Sequence, residues 1–236
     1  PEILAYCEEK EERLQKLQDY DSYLALLQKE LKQRRQELET AAEQLSNERK
    51  AQALQLEKAI ETELKDLNFA EVQFQIHFDK LADYTADGVD DVEFLISMNP
   101  GQPVKPLAEV ASGGELSRTM LAIKTVMADR DEIETLIFDE IDVGISGRTA
   151  QKVSEKMAVI GRNHQVICIT HLAQIAAQAD QHYLIEKTVD GGVTRTEIRK
   201  LSEEESIDEL ARILGGAEIT ETVRMSAREM KSMVKS

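Results

Sequence analysis

The stretch EVASGGELSRTML, Glu109 to Leu121, decides how the rest of the chain is read. Its Ser112-Gly113-Gly114-Glu115 segment is followed at once by residues with helical apolar spacing, so a loop opens a helix here. Two adjacent glycines let a ligand come close to the backbone. The first helical turn then offers unpaired N–H groups and a partial positive charge, which suit phosphate. The Ser112 hydroxyl adds a donor. A serine N-cap with an acidic first turn accounts for the same letters. The chain contains no Gly-Lys dipeptide, so the phosphate-cradling pattern G-x-x-x-x-G-K-[ST] is absent. Any phosphate held at Ser112 has to be brought by another stretch of polypeptide.

Further along, TLIFDE (Thr135 to Glu140) and QVICIT (Gln165 to Thr170) are short apolar runs of the buried-strand type. GRTAQKVSEKMAVIG, between them, has helical spacing. A strand, a helix and a strand in this order imply a parallel pair with a crossover. Asp139-Glu140 ends the first strand, at the edge where open α/β sheets bind ligands. Two adjacent carboxylates pack poorly, because burying an unpaired charge is costly. One suits Mg²⁺, a hard cation that prefers carboxylate and phosphate oxygens. The other suits orienting or deprotonating a water. Thr170-His171 ends the second strand on the same edge. A solvated Asp-Glu pair and a structural histidine are the plain alternatives, and the shared edge weighs against them.

The chain has 236 residues, 42% of them hydrophobic, which is enough for one or two domains with a core. No run of 18 apolar residues exists, so no membrane-spanning helix is expected. The net charge of -16 argues against a broadly basic nucleic-acid surface, though not against a local basic stripe. Cys7 and Cys168 are too few for a disulfide framework and fit a reducing cytosol. The first residue is Pro1, and the chain reads as a piece of something longer.

Residues 1–67 hold one proline and no glycine, with leucine recurring every seven residues at Leu17, Leu24, Leu31, Leu38 and Leu45. Ile60, Leu64 and Leu67 resume the pattern one residue out of phase. This predicts a helical coiled-coil arm, roughly 100 Å long at 1.5 Å per residue. EVQFQIHF (Glu71 to Phe78) and DVEFLISMNPG (Asp91 to Gly101) read as strands, the second ending in a turn signal. HYLIEKTV and TRTEIRKL flank Asp190-Gly191-Gly192 as a hairpin. Ser202 with Glu205 forms a capping box for a helix stopping at Gly215-Gly216. A last amphipathic helix carries Ile219, Val223, Met230 and Val234.

SGGE, then a strand ending in DE, then a strand ending in TH resemble, in this order and spacing, the C-terminal half of an ATP-binding-cassette (ABC) ATPase. More narrowly, VASGGELSRTMLAIK, TLIFDEIDVGISGRTA and VICITHLAQIAAQAD resemble RecN, a bacterial recombinational-repair family of the structural-maintenance-of-chromosomes (SMC) class. The resemblance is close from Phe94 to Lys187, and the arm before and hairpin after fit the same layout. It implies an α/β fold: half of an ABC-type ATPase head, with a P-loop NTPase-like sheet and helices, preceded by a long α-helical coiled-coil arm. The arm would be 1–67 and the head lobe 68–236.

The resemblance also implies ATP and Mg²⁺ as cofactors. Ser112, Gly113, Gly114 and Glu115 match the signature loop, which contacts the γ-phosphate of ATP held by the opposite head. Asp139 matches the carboxylate that supports Mg²⁺, and Glu140 the general base that polarises the attacking water. Asp142 matches the loop that crosses the head–head interface, and His171 the switch histidine that senses the γ-phosphate. The implied partners are an N-terminal half carrying the P-loop, a second copy joined through the heads, and DNA bound by the assembled complex, with no membrane. The setting would be double-strand-break and recombinational repair, in the cytoplasm at the nucleoid. This chain alone is expected to hydrolyse no ATP. A different class of reading is a coiled-coil scaffold that docks partners of a chromosome-maintenance complex without hydrolysis. The adjacent carboxylates Asp139 and Glu140 favour the ATPase, since a docking module has no use for them at a strand end.

Overall fold

With no glycine or proline to stop it, the chain is helical almost from its start. Helix α1 runs Glu2–Gln18 and α2 runs Tyr20–Asp66. The break at Asp19 is a single residue, and the hydrogen bonds on either side of it, Asp19 N to Gln15 O and Tyr23 N to Asp19 O, are of normal length. The computed structural model describes residues 2–69, 71–110, 112–128, 132–190, 193–216 and 218–233. Two compact units divide the chain. One holds residues 1–53 and 78–92, and the other holds 54–77 and 93–236.

In the first unit the heptad leucines lie open: Leu17, Leu24, Leu31, Leu38 and Leu45 are 38–63% exposed. Full burial would be worth about 1.5–3 kcal/mol for each leucine, so the stripe is an unused source of binding energy. Strands β1 (Gln73–Thr85) and β2 (Gly88–Ser97) turn at Ala86-Asp87. Gly88, at φ +101°, takes a backbone conformation that L side chains rarely adopt. The hairpin tip is tied to α2 within this unit. Ser46 Oγ donates to Asp90 Oδ1 at 2.6 Å, and Arg49 donates to Asp87 O and Asp90 Oδ2. The Ser46 hydrogen bond, helped by Arg49, holds the Asp90 carboxyl below its usual range.

The second unit has the core. Ile60, Leu64 and Leu67 are fully buried there, with Phe74 of β1 and Ile96 of β2. Strand order is β1-β2-β3, with β3 (Lys105–Pro106) antiparallel to β2. The outward N–H groups of β1 are capped by carboxylates one helical turn apart on α2. Phe74 N donates to Glu61 Oε1 at 3.0 Å, and Ile76 N donates to Glu57 Oε1 at 2.7 Å.

Helix α3 (Gly113–Met127) leads to β4 (Thr135–Phe138), α4 (Gly147–Ile160) and β5 (Gln165–Cys168). β4 and β5 pair in parallel, Thr135 with Gln165 through Phe138 with Cys168, as the strand–helix–strand order predicts. Leu136 and Phe138 point into the core. Ile137, on the other face, is 67% exposed and Ile167 is 44% exposed. Lys156 of α4 is buried and donates to Glu63 Oε2 and Asp66 Oδ2. Burial presses its pKa down, but the two carboxylates outweigh that and raise it above the ordinary lysine value.

A second cluster closes the chain. Short helix α5 (Ala173–Ala177) packs with α6 (Glu203–Gly215) and α7 (Glu221–Met233) through Ala176, Ile207, Leu210 and Ala227. Between α5 and α6, β6 (Tyr183–Asp190) pairs antiparallel with β7 (Val193–Lys200), the hairpin expected from the sequence. Its Gly191-Gly192 turn lies outside the described residues. The capping box of Ser202 and Glu205 is formed, and α6 stops at Gly216, φ +67°. Val223 and Met230 join the cluster; Ile219 precedes α7 and is exposed, and Val234 lies outside the described residues.

Lys156→Met leaves Glu63 and Asp66 facing each other without their shared cation. The expected loss is about 1–3 kcal/mol, read as a lower urea midpoint at pH 7. Because the native pKa is raised, Lys156 stays charged below the lysine range and the loss should be equal at pH 9. An unchanged midpoint would show that the contact contributes nothing.

Candidate active site

Ser112 caps α3. Its carbonyl accepts from Leu116 N at 2.9 Å, and its hydroxyl accepts from Glu115 N at 3.5 Å. The two glycines behind it are there for space. A Cβ on Gly113 would run into the Glu140 carboxylate. A Cβ on Gly114 would lie 2.9 Å from Glu140 O and 3.1 Å from Val143 Cβ. The loop expected to hold phosphate is therefore packed directly on the segment that follows β4. The Glu140 carboxylate sits at the positive end of α3, where an anion is favoured.

That segment is a tight turn. Glu140 has φ +56°, a left-handed conformation costing about 1–2 kcal/mol for a residue with a Cβ. Val143 N returns to Glu140 O at 3.1 Å, and Gly144 has φ +74°. Asp139 is exposed, and its Oδ1 accepts from Glu140 N at 2.8 Å. Two residues of α3 hold the turn in place. Ser117 Oγ donates to Asp139 O at 2.8 Å. Arg118 Nη1 donates to Val143 O at 2.8 Å and Ile141 O at 3.3 Å. Arg118 is buried, its guanidinium lies 5.3 Å from the Phe69 ring centroid, and burial pushes its pKa down against the charge of Glu115. Its Nε has no hydrogen-bond partner among the described residues.

Asp142 turns inward. It is 3% exposed, and its Oδ2 accepts from Thr170 Oγ1 at 2.6 Å and His171 N at 2.8 Å. His171 Nδ1 lies 3.0 Å from the same oxygen. The His171 side chain is nonetheless 72% exposed. Leu172 N bonds back to Thr170 Oγ1 at 3.1 Å, and Ile169 N to Phe138 O at 3.0 Å, which extends the β4–β5 pairing to the site.

The structure thus gathers Ser112, Gly113, Gly114, Glu115, Asp139, Glu140, Asp142 and His171 around the C-terminal ends of β4 and β5. The Asp142 carboxylate is engaged within its own chain, by Thr170 Oγ1 and His171 N. Arg118 and Ser117 carry no sequence motif. The signal for Arg118 was its spacing: it shares a helix face with Gly114, Leu121 and Ala122, all buried. Among the described residues no three His, Cys, Asp or Glu side chains cluster as a metal site. Mg²⁺ held by one carboxylate, substrate phosphates and water needs no such cluster, and the exposed Asp139 carboxylate suits that mode.

Gly114→Ala should cost about 1–3 kcal/mol, the range for overpacking, because backbone and not a flexible side-chain end meets the new methyl. Urea denaturation measures it, and an unchanged midpoint would mean that the turn yields freely. Cys168 gives an independent check on how closed this region is. Burial, then the nearby charges of Asp142 and Asp139, push its thiol up to about 12. At pH 8 it should carry on the order of 10³-fold less thiolate than an ordinary cysteine. Iodoacetamide should modify exposed Cys7 and spare Cys168 until denaturant is added. Equal rates at the two cysteines would contradict the packing described.

No protein-family model matches the chain. It is 42% identical over 99% of its length to DNA repair protein RecN of Halalkalibacterium halodurans, covering 42% of that protein. To DNA repair protein RecN of Bacillus subtilis it is 38% identical over 97% of its length, again covering 42%. Among solved structures, the Smc head domain with a coiled coil and joint from Pyrococcus yayanosii matches 69% of this chain and 29% of that one, at 24% identity and TM-score 0.48. The chain thus spans about two fifths of the length of these RecN relatives.

Proposed function

From a chain whose homologues along nearly all of its length are RecN proteins, we propose part of an ATP-hydrolysing DNA repair protein, contributing the signature loop, the catalytic carboxylates and the switch histidine. The convergence of Ser112–Gly114, Asp139-Glu140 and His171 at one strand edge carries this reading. In it, Ser112, Gly113, Gly114 and Glu115 receive the γ-phosphate of ATP bound by a second copy. Asp139 would hold Mg²⁺, which when bound neutralises charge on the phosphate oxygens. Glu140 orients the attacking water and takes its proton. His171 contacts the γ-phosphate from the neighbouring strand.

The P-loop pattern is absent from this chain, so the reading assigns it to a further segment of the longer protein. Two open surfaces support a covering segment. Parallel sheets are normally covered on both faces, yet Ile137 and Ile167 are exposed on one face of β4–β5. The heptad leucines of α1 and α2 are likewise uncovered, as expected of half a coiled coil whose other helix lies in that segment. DNA would be bound by the assembled protein, since a chain of net charge -16 offers little broad attraction for it. The setting would be the cytoplasm, at the nucleoid.

Glu140→Gln in the full-length protein tests the assignment. The Asp139 carboxylate and the loop at Ser112 are untouched, so ATP-driven head closure should survive. Hydrolysis should fall about 10²–10⁴-fold, the usual contribution of a positioned base. ATP-dependent dimers should accumulate in light scattering. Ser112→Arg should give the reverse, ATP bound in each head without closure. An unchanged hydrolysis rate in Glu140→Gln with DNA present would remove Glu140 as the base.

A further inference from the structure

We infer that His182, Ser206 and Lys231 form an acid-released latch holding the last helix, α7, to the root of the β6–β7 hairpin. The inference is independent of the ATPase reading and draws on the second cluster alone. Ser206 of α6 is 1% exposed. Lys231 Nζ of α7 donates to its hydroxyl oxygen, and Nδ1 of His182, the residue before β6, lies 2.9 Å from the same oxygen. An ammonium has protons only to give, so the oxygen accepts from Lys231. The hydroxyl's own proton then needs an acceptor, and a buried hydroxyl left without one is costly. Among the described residues its hydrogen bonds are to these two nitrogens, so the proton points at His182 Nδ1. Nδ1 is therefore the bare nitrogen of a neutral ring. His182 O accepts from Leu201 N at 2.9 Å, which fixes the ring's backbone where the hairpin starts and ends. Few apolar contacts hold α7 otherwise. Ala227 is its one buried residue among those described, with Val223 and Met230 half-buried against the cluster. Its ion pairs, Arg224 with Asp208 and Glu204 and Arg228 with Glu204, are open to solvent and weak.

A proton added at Nδ1 undoes this arrangement. The Ser206 hydroxyl loses its acceptor, and an imidazolium and an ammonium then crowd one buried oxygen. Burial, and then the charge of Lys231, press the His182 pKa below the ordinary histidine value, against the pull of Glu209. Glu209 relieves little of this, because Arg212 takes both of its oxygens, at 2.6 and 2.8 Å. Of the other elements around the ring, α5 carries no titratable side chain and Lys200 of β7 is exposed. With its native pKa depressed, His182 binds fewer protons in the folded chain than in the unfolded one below about pH 6.5. The latch is therefore complete above the ordinary histidine range and is lost as pH falls through the native pKa.

The test follows amide hydrogen exchange of α7 in the full-length protein at pH 7.5, 6.5 and 5.5, a range above most carboxylate titration. Protection of α7, corrected for the intrinsic exchange rate, should fall on acidification by at most about tenfold per pH unit, the limit for one proton. Helices α3 and α4 should keep theirs. In His182→Gln the side-chain amide still accepts from Ser206 but does not titrate, so protection of α7 should be the same at all three pH values. Lys231→Met removes the cation beside the ring, and the fall should shrink. An equal fall in His182→Gln, or constant protection in the native protein, would overturn the inference. A histidine NMR titration of the native protein decides it without a variant's stability entering. His182 should titrate in step with the loss of protection, and separate midpoints would also overturn the latch.

Discussion

Arg118 reaches from α3 to the carbonyls of Ile141 and Val143, and through it two segments more than twenty residues apart become one site. The turn after β4 has its Glu140 in a left-handed conformation, which it would not hold unaided. A buried guanidinium is costly to leave unpaired, and its Nη1 donates to both carbonyls. Gly114 is required because the turn then lies against the first residues of the helix. Ser117 adds a second tie to Asp139. Loss of the Arg118 bridge would release the turn, and with it the placement of both carboxylates.

The second strand is connected to the same turn by Asp142. The two clamps work from opposite sides: α3 grips the backbone of the turn, and the turn's own carboxylate grips the end of β5. Neither clamp uses the side chain of Asp139 or Glu140, and both stay exposed. Arg118 and Asp142 are buried, while the carboxylates of Asp139 and Glu140 are open.

Much of this was legible in the residues. Leu136 and Phe138, and Val166 and Cys168, alternate with Ile137 and Ile167 in runs too apolar to be anything but strands, and the helical spacing between them fixed their parallel pairing. Ser202 and Glu205 announced a capping box that is formed. The contacts that assemble the site were not legible, because they join residues distant in sequence. The Arg118 bridge to Val143 and the Asp142 bond to His171 depend on where two strand ends arrive, and no local pattern encodes that. The resemblance singled out Asp142, but its burial and its bonds to Thr170 and the His171 backbone had no sign in the local sequence. The strand β1 runs longer than its alternating stretch, since pairing in a hairpin extends it beyond the residues whose side chains are buried.

The carboxylates of Glu57 and Glu61 have a consequence for how this chain behaves in company. Phe74 and Ile76 would otherwise present a pair of vacant N–H donors on the rim of a sheet, which is where foreign strands attach and aggregation begins. By occupying both donors with side chains from α2, the fold makes its helix the guard of its own sheet edge. The guard is present only while α2 is folded at Glu57 to Glu61. A chain cut within that turn, or caught during synthesis before the strand meets the helix, would carry a sticky edge.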